Sequence, residues 1–287
     1  MKNLCFLCAA LALLSAPLHA AITVSLKDGS SVAAASLAPQ GASKLRITPE
    51  GGGTPRVVDV SAIDRVEMDP PQSLTDTYTA FAAGDTVQTL GAMGKLRVEL
   101  EPLKTIPGGR EWWLEGEFLR AHILLSQKRI ADVEASMKEI AANSADPEAQ
   151  RHARVFLAHL TALAGDPRKA LEQLQEIILA SRDNETLADA WLFAGQSHAA
   201  LSEQQQAVVA FLRVPVFYPA RQVPLAGAQL GAARCFIALE DISSARRVLK
   251  DLTTQSPNTP EGQEGKKLLS QLQRDSASAG SDNSPGK

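Results

Sequence analysis

Two periodicities divide this chain. Across residues 22–69 apolar and polar side chains alternate in short runs, the period of strands with one buried face. Residues 22–26 (ITVSL), 31–37, 44–48, 56–60 and 63–68 give about five strands. Lys27-Asp28-Gly29-Ser30 separates the first two, and an Asp-Gly pair favours a tight hairpin. Residues 50–55 (EGGGTP) form a loop. From Leu74 onward the apolar positions instead recur every three or four residues, which predicts amphipathic helices. Asp69-Pro70-Pro71 marks the change, because proline holds the residue before it extended. Ser73 or Thr75 is placed to cap the first helix.

The helical part reads as a series of hairpins. Tyr78, Phe81 and Ala82 share a face, Gly84-Asp85 makes a turn, and Val87, Leu90, Met93 and Leu96 continue in a second helix. Residues 102–109 are a longer exit loop, followed by Trp112 and Trp113, which are expected to pack against the first hairpin. Later, one small-residue slot is held by Val133, Ala170, Ala207 and Ala245, at intervals of 37, 37 and 38 residues. Residues 261–273 predict a last helix, with Leu268, Leu269 and Leu272 covering the end of the array. Residues 274–287 have almost no apolar content and are expected to be disordered.

The clearest hairpin is residues 188–219. It reads Trp191-x2-Ala194-Gly195-x2-His198, then Ala207-x3-Phe211, then Pro219 as the stop. This resembles the tetratricopeptide repeat, W-x2-L-G-x2-Y, A-x3-F, P, with Ala194 in place of Leu and His198 in place of Tyr. The resemblance covers residues 74–260, with a period a few residues longer than the family's 34. It implies a mainly α fold: a right-handed tetratricopeptide-like solenoid behind a small N-terminal all-β domain. That β-domain is either SH3-like or Sm-like, or a β-meander. The expected boundaries are 1–20 signal peptide, 21–71 β-domain, 72–109 first hairpin and loop, 110–260 repeats, 261–273 capping helix and 274–287 tail.

Composition narrows the function. Apolar residues make up 45% and aromatic ones only 5%, a balance suited to closely packed helices. The net charge of −3 becomes −4 without Lys2, so nucleic acid is not an expected partner. Lys2, the apolar run of residues 4–14 and the small residues around Ala20 predict a signal peptide cleaved after Ala20. The apolar run is too short to span a bilayer, so no transmembrane span is expected in the mature chain. Periplasmic or secreted localisation follows. Cys5 and Cys8 fall inside the expected signal, leaving Cys235 to act as a buried small hydrophobe.

Catalytic patterns are missing. There is no G-x-S-x-G, no phosphate loop and no H-E-x-x-H, so no catalytic residue, cofactor or metal is assigned. A cluster of titratable groups in a closed pocket would point instead to an enzyme. One slot of the alignment is held by His122, His159, Gln196 and Arg234, with Tyr78 assigned to it in the first hairpin. His152 lies seven residues before His159 on the same face, about 10 Å away along a helix and too far to share a metal ion. In the tetratricopeptide family this slot faces the concave groove. The resemblance therefore implies a non-enzymatic scaffold that binds a protein or peptide through Tyr78, Phe118, His122, His152, Val155, His159, Leu192, Gln196 and Arg234. The alternative is an accessory subunit of an envelope complex that docks through its convex face or its β-domain.

Overall fold

The structure is a computed structural model that describes residues 22–41, 43–220 and 222–281. The expected signal segment lies outside those residues. Among them the chain is mainly helical, with eleven α-helices and one small antiparallel sheet of five strands. It divides into two compact units. One comprises the chain up to Pro70 together with Pro102–Arg110, and the other comprises Pro71–Glu101 and the chain from Glu111 onward.

The sheet unit follows the alternation closely. Its strands are β1 (Ile22–Leu26), β2 (Ser31–Pro39), β3 (Lys44–Pro49), β4 (Arg56–Asp59) and β5 (Ile63–Glu67). Their order is β4-β3-β2-β1-β5, with every pair antiparallel. A simple meander would place β5 beyond β4, whereas here it returns to the free edge of β1. Val24, Leu26, Leu45, Ile47, Ile63 and Val66 fill the core. Ile63 and Val66 are three apart, an odd spacing for one face of a strand. The pairing shifts register between Ser25 and Leu26, and the bulge turns both side chains inward. The first hairpin turns at Gly29 (φ +85°), while Asp28 accepts hydrogen bonds from the Ser30 amide and hydroxyl.

The segment Pro102–Arg110 belongs to this unit rather than to the helical hairpin before it. Leu103 and Ile106 are buried, and the Val66 amide donates to the Pro107 carbonyl at 2.9 Å. Gly108 has φ +85°, and a Cβ there would collide with the Val66 carbonyl oxygen. Gly108→Ala is therefore expected to destabilise the protein by about 1–3 kcal/mol, seen as a lower urea midpoint.

The helical unit contains α1 (Gln72–Ala82), α2 (Thr86–Leu100), α4 (Ile130–Asn143), α5 (Pro147–Leu163), α6 (Pro167–Ala180), α7 (Asn184–Ala200), α8 (Gln204–Phe217), α9 (Gln222–Ala238), α10 (Ile242–Gln255) and α11 (Pro260–Ser281). Helix α3 (Gly109–Ser126) precedes α4. Consecutive helices stack as antiparallel neighbours, and α5–α7, α7–α9 and α9–α11 also touch, so the odd-numbered helices form one layer. Asp85, Asp146, Asp166, Asp183 and Asp241 cap helices by accepting a first-turn amide. The expected cap on α1 is absent. Pro71 occupies that position, and Ser73 instead donates to Glu99 on α2. The turn within each hairpin places a left-handed residue at Gly84, Lys128, Gly165, Ser202 and Glu240.

The small-residue slot is real in space: Val133, Ala170, Ala207 and Ala245 are all fully buried. Trp113 is buried and donates to Glu101, close after α2, at 3.4 Å. At the C-terminal end Leu268, Leu269 and Leu272 pack on the core of α9 and α10. Two boundaries differ from expectation. Helix α8 ends at Phe217, ahead of Pro219, with Pro215 in its last turn. Helix α11 runs on to Ser281 where disorder was expected from residue 274. Scarce apolar content argues against burial of that segment, but Ala277 and Ala279 favour helix and each added residue needs only one more hydrogen bond.

Candidate functional site

The odd-numbered helices carry a cluster of rings and titratable groups. Phe118 on α3 stacks on His152 of α5 with centroids 3.8 Å apart. His122 meets Phe156 edge-on at 5.0 Å, and His159 stacks on Phe193 of α7 at 4.0 Å with planes 7° apart. Phe156 and Phe193 touch at 5.5 Å. Alternating phenyl and imidazole rings thus join three helices.

Asp189 on α7 is the electrostatic centre. Its Oδ2 meets His152 Nε2 at 2.8 Å and His122 Nε2 at 3.0 Å. An ionised carboxylate can only accept, so both rings donate from Nε2. Burial works to raise the Asp189 carboxyl, but the charge of His122 and the hydrogen bonds from both imidazoles outweigh it. The group is held well below the usual carboxylate range. Its Oδ1 is buried without a hydrogen-bond partner among the described residues.

This cluster borders a cavity of about 380 Å³ walled by α1, α3, α5, α7 and the start of α9. Tyr78 donates to Glu115 at 3.3 Å across it. Burial first, and then the Glu115 carboxylate, push the Tyr78 phenol far above its usual range. A second cavity of about 940 Å³ shares Tyr78, Thr79 and Val223 with the first and extends past Phe81, Ile123 and Leu225 to the loop before α11. The start of α11 lies against the first hairpin, since a Cβ at Gly84 would come within 3.3 Å of Pro260.

Of the nine residues expected to line a groove, the structure places Tyr78, Phe118, His122 and His152 on the smaller cavity. Val155, Leu192 and His159 are buried in helix packing. Gln196 and Arg234 are exposed and border neither cavity, and Arg234 pairs loosely with Glu264 at 3.8 Å. The residues that sequence reading missed are Glu115, Glu185 and Asp189. A signal for two of them was available, since steps of 37 residues connect Tyr78, Glu115, His152 and Asp189. Tyr78 therefore belongs to the Glu115 slot and not to the slot of His122. Helix α1 ends at Ala82, and the His122 slot has no counterpart on it.

Searches against known proteins give no family. The chain matches no protein-family model, and no curated protein matches it. The site must be judged on its own chemistry. The titratable cluster that would point to an enzyme is present, but the pocket is open: Thr75 and Thr79 at its edge are exposed. Among the described residues neither serine nor cysteine borders it. Among the described residues, no group of three His, Cys, Asp or Glu is placed to hold a metal ion, and no helix is long and apolar enough to cross a membrane. His198 bonds through Nδ1 to Glu203 at 2.8 Å, at the start of α8. Cys235 is buried, and burial pushes its thiol up.

His159 gives this cluster a pH signature. Burial and then the charge of His122 lower its pKa from 6.5 to about 4, against an opposing pull from Asp189. The unfolded chain therefore binds a proton between these two values that the folded chain does not. Stability is present above pH 6.5 and is lost as pH falls toward 4, by about 3 kcal/mol. His159→Phe keeps a ring on Phe193 and is expected to flatten that part of the stability–pH curve, measured by urea unfolding at half-unit steps.

Proposed function

We propose that this chain is an exported, non-enzymatic scaffold of the tetratricopeptide kind that binds a segment of another protein along its odd-numbered helices. The observation that carries this reading is the pair of adjoining cavities on that layer, which share Tyr78, Thr79 and Val223. Stacked helix pairs, a fully buried small-residue slot and a tight Gly195–Phe211 approach support the family reading. The return of β5 to β1 supports an SH3-like β-domain over a meander. Export rests on the signal pattern of residues 1–20.

The test is affinity capture from an envelope extract with the full mature chain. Thr79→Arg with Val223→Arg fills the shared part of the two cavities without touching the core. A partner retained by the wild type and lost with this variant supports the reading. A charge reversal at His159 does not serve this test, because it would place a carboxylate in the ring stack with Phe193.

A second reading has its own observation. Val209, Val216 and Phe217 on α8 are exposed, Phe217 at 63%. An apolar patch of this kind suits docking of an accessory subunit through the convex face. Val216→Lys with Phe217→Lys abolishes capture under that reading and leaves it intact under ours.

A further inference from the structure

Glycine inside a helix weakens it relative to alanine, so its presence there calls for a close neighbour that a side chain would obstruct. Within the helical unit that neighbour is visible at Gly116, Gly195, Gly227, Gly231 and Gly265. A Cβ at each would come within 3.4 Å of a leucine or phenylalanine on another helix. Gly91 and Gly94, in the middle of α2, are different: a Cβ at either meets nothing within 4 Å. They lie on an open apolar line. Val87 is 81% exposed, Val98 64% and Leu90 39%. Val87, Gly91, Gly94 and Val98 follow one another at steps of four, three and four residues, which keeps them within about 60° of one another around the helix. We infer that this face of α2 packs against α2 of a second copy of the chain, the two helices antiparallel about a twofold axis.

The spacing selects that occupant. Val87-x3-Gly91-x2-Gly94-x3-Val98 reads the same from both ends. A twofold axis across its middle sets Gly91 against the partner's Gly94 and Val87 against the partner's Val98, the reciprocal pairing that an isologous interface requires. The exposed charges agree with the antiparallel arrangement. Arg97 and Leu90 share one flank of the stripe, and Lys95 and Gln88 share the other. Antiparallel helices bring like flanks together, so Arg97 lies along the partner's Leu90, and Lys95 lies beside the partner's Gln88. A parallel pair would set Lys95 beside the partner's Arg97 on both flanks, a like-charge contact. Helix α2 has 15 residues and is about 22 Å long. One helix pair of that length falls short of the roughly 800 Å² a side of a standard interface, so the dimer is weak, with a Kd on the order of 10–100 μM. Among the described residues, none of these five apolar and glycine positions borders either cavity, so self-pairing is independent of binding on the inner face.

The experiment is sedimentation velocity on the full mature chain from about 1 to 300 μM, a range that brackets this Kd. The dimer fraction should rise with concentration. Gly91→Gln/Gly94→Gln should weaken pairing at least tenfold without lowering the melting temperature of the dilute protein, because glutamine is the better helix former. Thr79→Arg/Val223→Arg should leave the dimer unchanged. A second measurement fixes the direction. Chains carrying Val87→Cys and chains carrying Val98→Cys, both with Cys235→Ala, are mixed and oxidised. The mixture should give at least fivefold more disulfide-linked dimer than either chain alone. In the antiparallel pair Val87 is about 16 Å along the axis from the partner's Val87, beyond the roughly 7 Å between Cα atoms that a disulfide spans.

A monomer at every concentration overturns the inference, as does a dimer that the glutamine variant forms equally well. Linkage of either cysteine chain to itself as efficient as in the mixture overturns the antiparallel pairing. A monomeric wild type in which a benzophenone at position 91 links a different envelope protein assigns the face to that protein and overturns self-pairing.

Discussion

Asp189→Leu lowers the stability of the protein by roughly 3–5 kcal/mol, the cost of removing one partner from a buried charged network. The substitution keeps the branching and heavy-atom count of the side chain, so none of that loss is a cavity. Two imidazole N–H groups, on His122 and His152, lose their common acceptor, the buried Asp189 carboxylate. The loss is expected across neutral pH. Because the carboxyl is held well below its ordinary range, its stabilisation is present above the unfolded carboxylate pKa and disappears only as pH falls through the lower folded value. The acid sensitivity between pH 6.5 and 4 belongs to His159 and should survive in this variant. The triple variant Asp189→Leu/His122→Leu/His152→Leu should recover most of the loss, since an apolar replacement leaves no donor unmatched. A single-variant cost under 1 kcal/mol by urea unfolding would show that the network is peripheral to stability.

Phe211→Ala is the second large effect, expected at about 3–5 kcal/mol. Phe211 on α8 is almost completely buried, and it is held between two glycines of neighbouring helices. A Cβ at Gly195 on α7 would come within 2.5 Å of its Cδ1, and one at Gly231 on α9 within 2.5 Å of its Cζ. The ring thus fills the space that the absent side chains leave. The glycines provide the sharper test. Glycine to alanine in a helix ordinarily stabilises by about 1 kcal/mol. Here Gly195→Ala and Gly231→Ala should each destabilise, by about 1–3 kcal/mol net, because the ring has nowhere to move. Adding Phe211→Leu to Gly195→Ala should recover part of the loss. Stabilisation by either alanine would mean that the ring is not clamped.

How much of this was legible in the sequence depends on the range of the interactions. Strand alternation located all five strands, and Gly84-Asp85 located the turn between α1 and α2 because turn chemistry is local. The Gly195–Phe211 approach was readable because the two residues sit in adjacent helices of one hairpin. The groove was read less well. His159 and Val155 lie on the right helix, but one helical turn decides between the cavity and the packing between α5 and α7. Asp189 went unnoticed because no local pattern marks an acidic residue that becomes buried by pairing with two other helices. Its repeat interval from His152 did mark it. The assignment of Pro102–Arg110 to the sheet was not legible, since Ile106 and Gly108 have meaning only beside Val66.

The most direct test of the inner face as the binding surface is photocrosslinking in intact cells. A benzophenone side chain is introduced at position 79, on the shared edge of the two cavities, or at position 209, on the exposed face of α8. Inner-face binding predicts a discrete adduct from position 79, none from position 209, and loss of the adduct when Val223→Arg is added. A discrete adduct from position 209 alone would contradict it and move the function to the convex face.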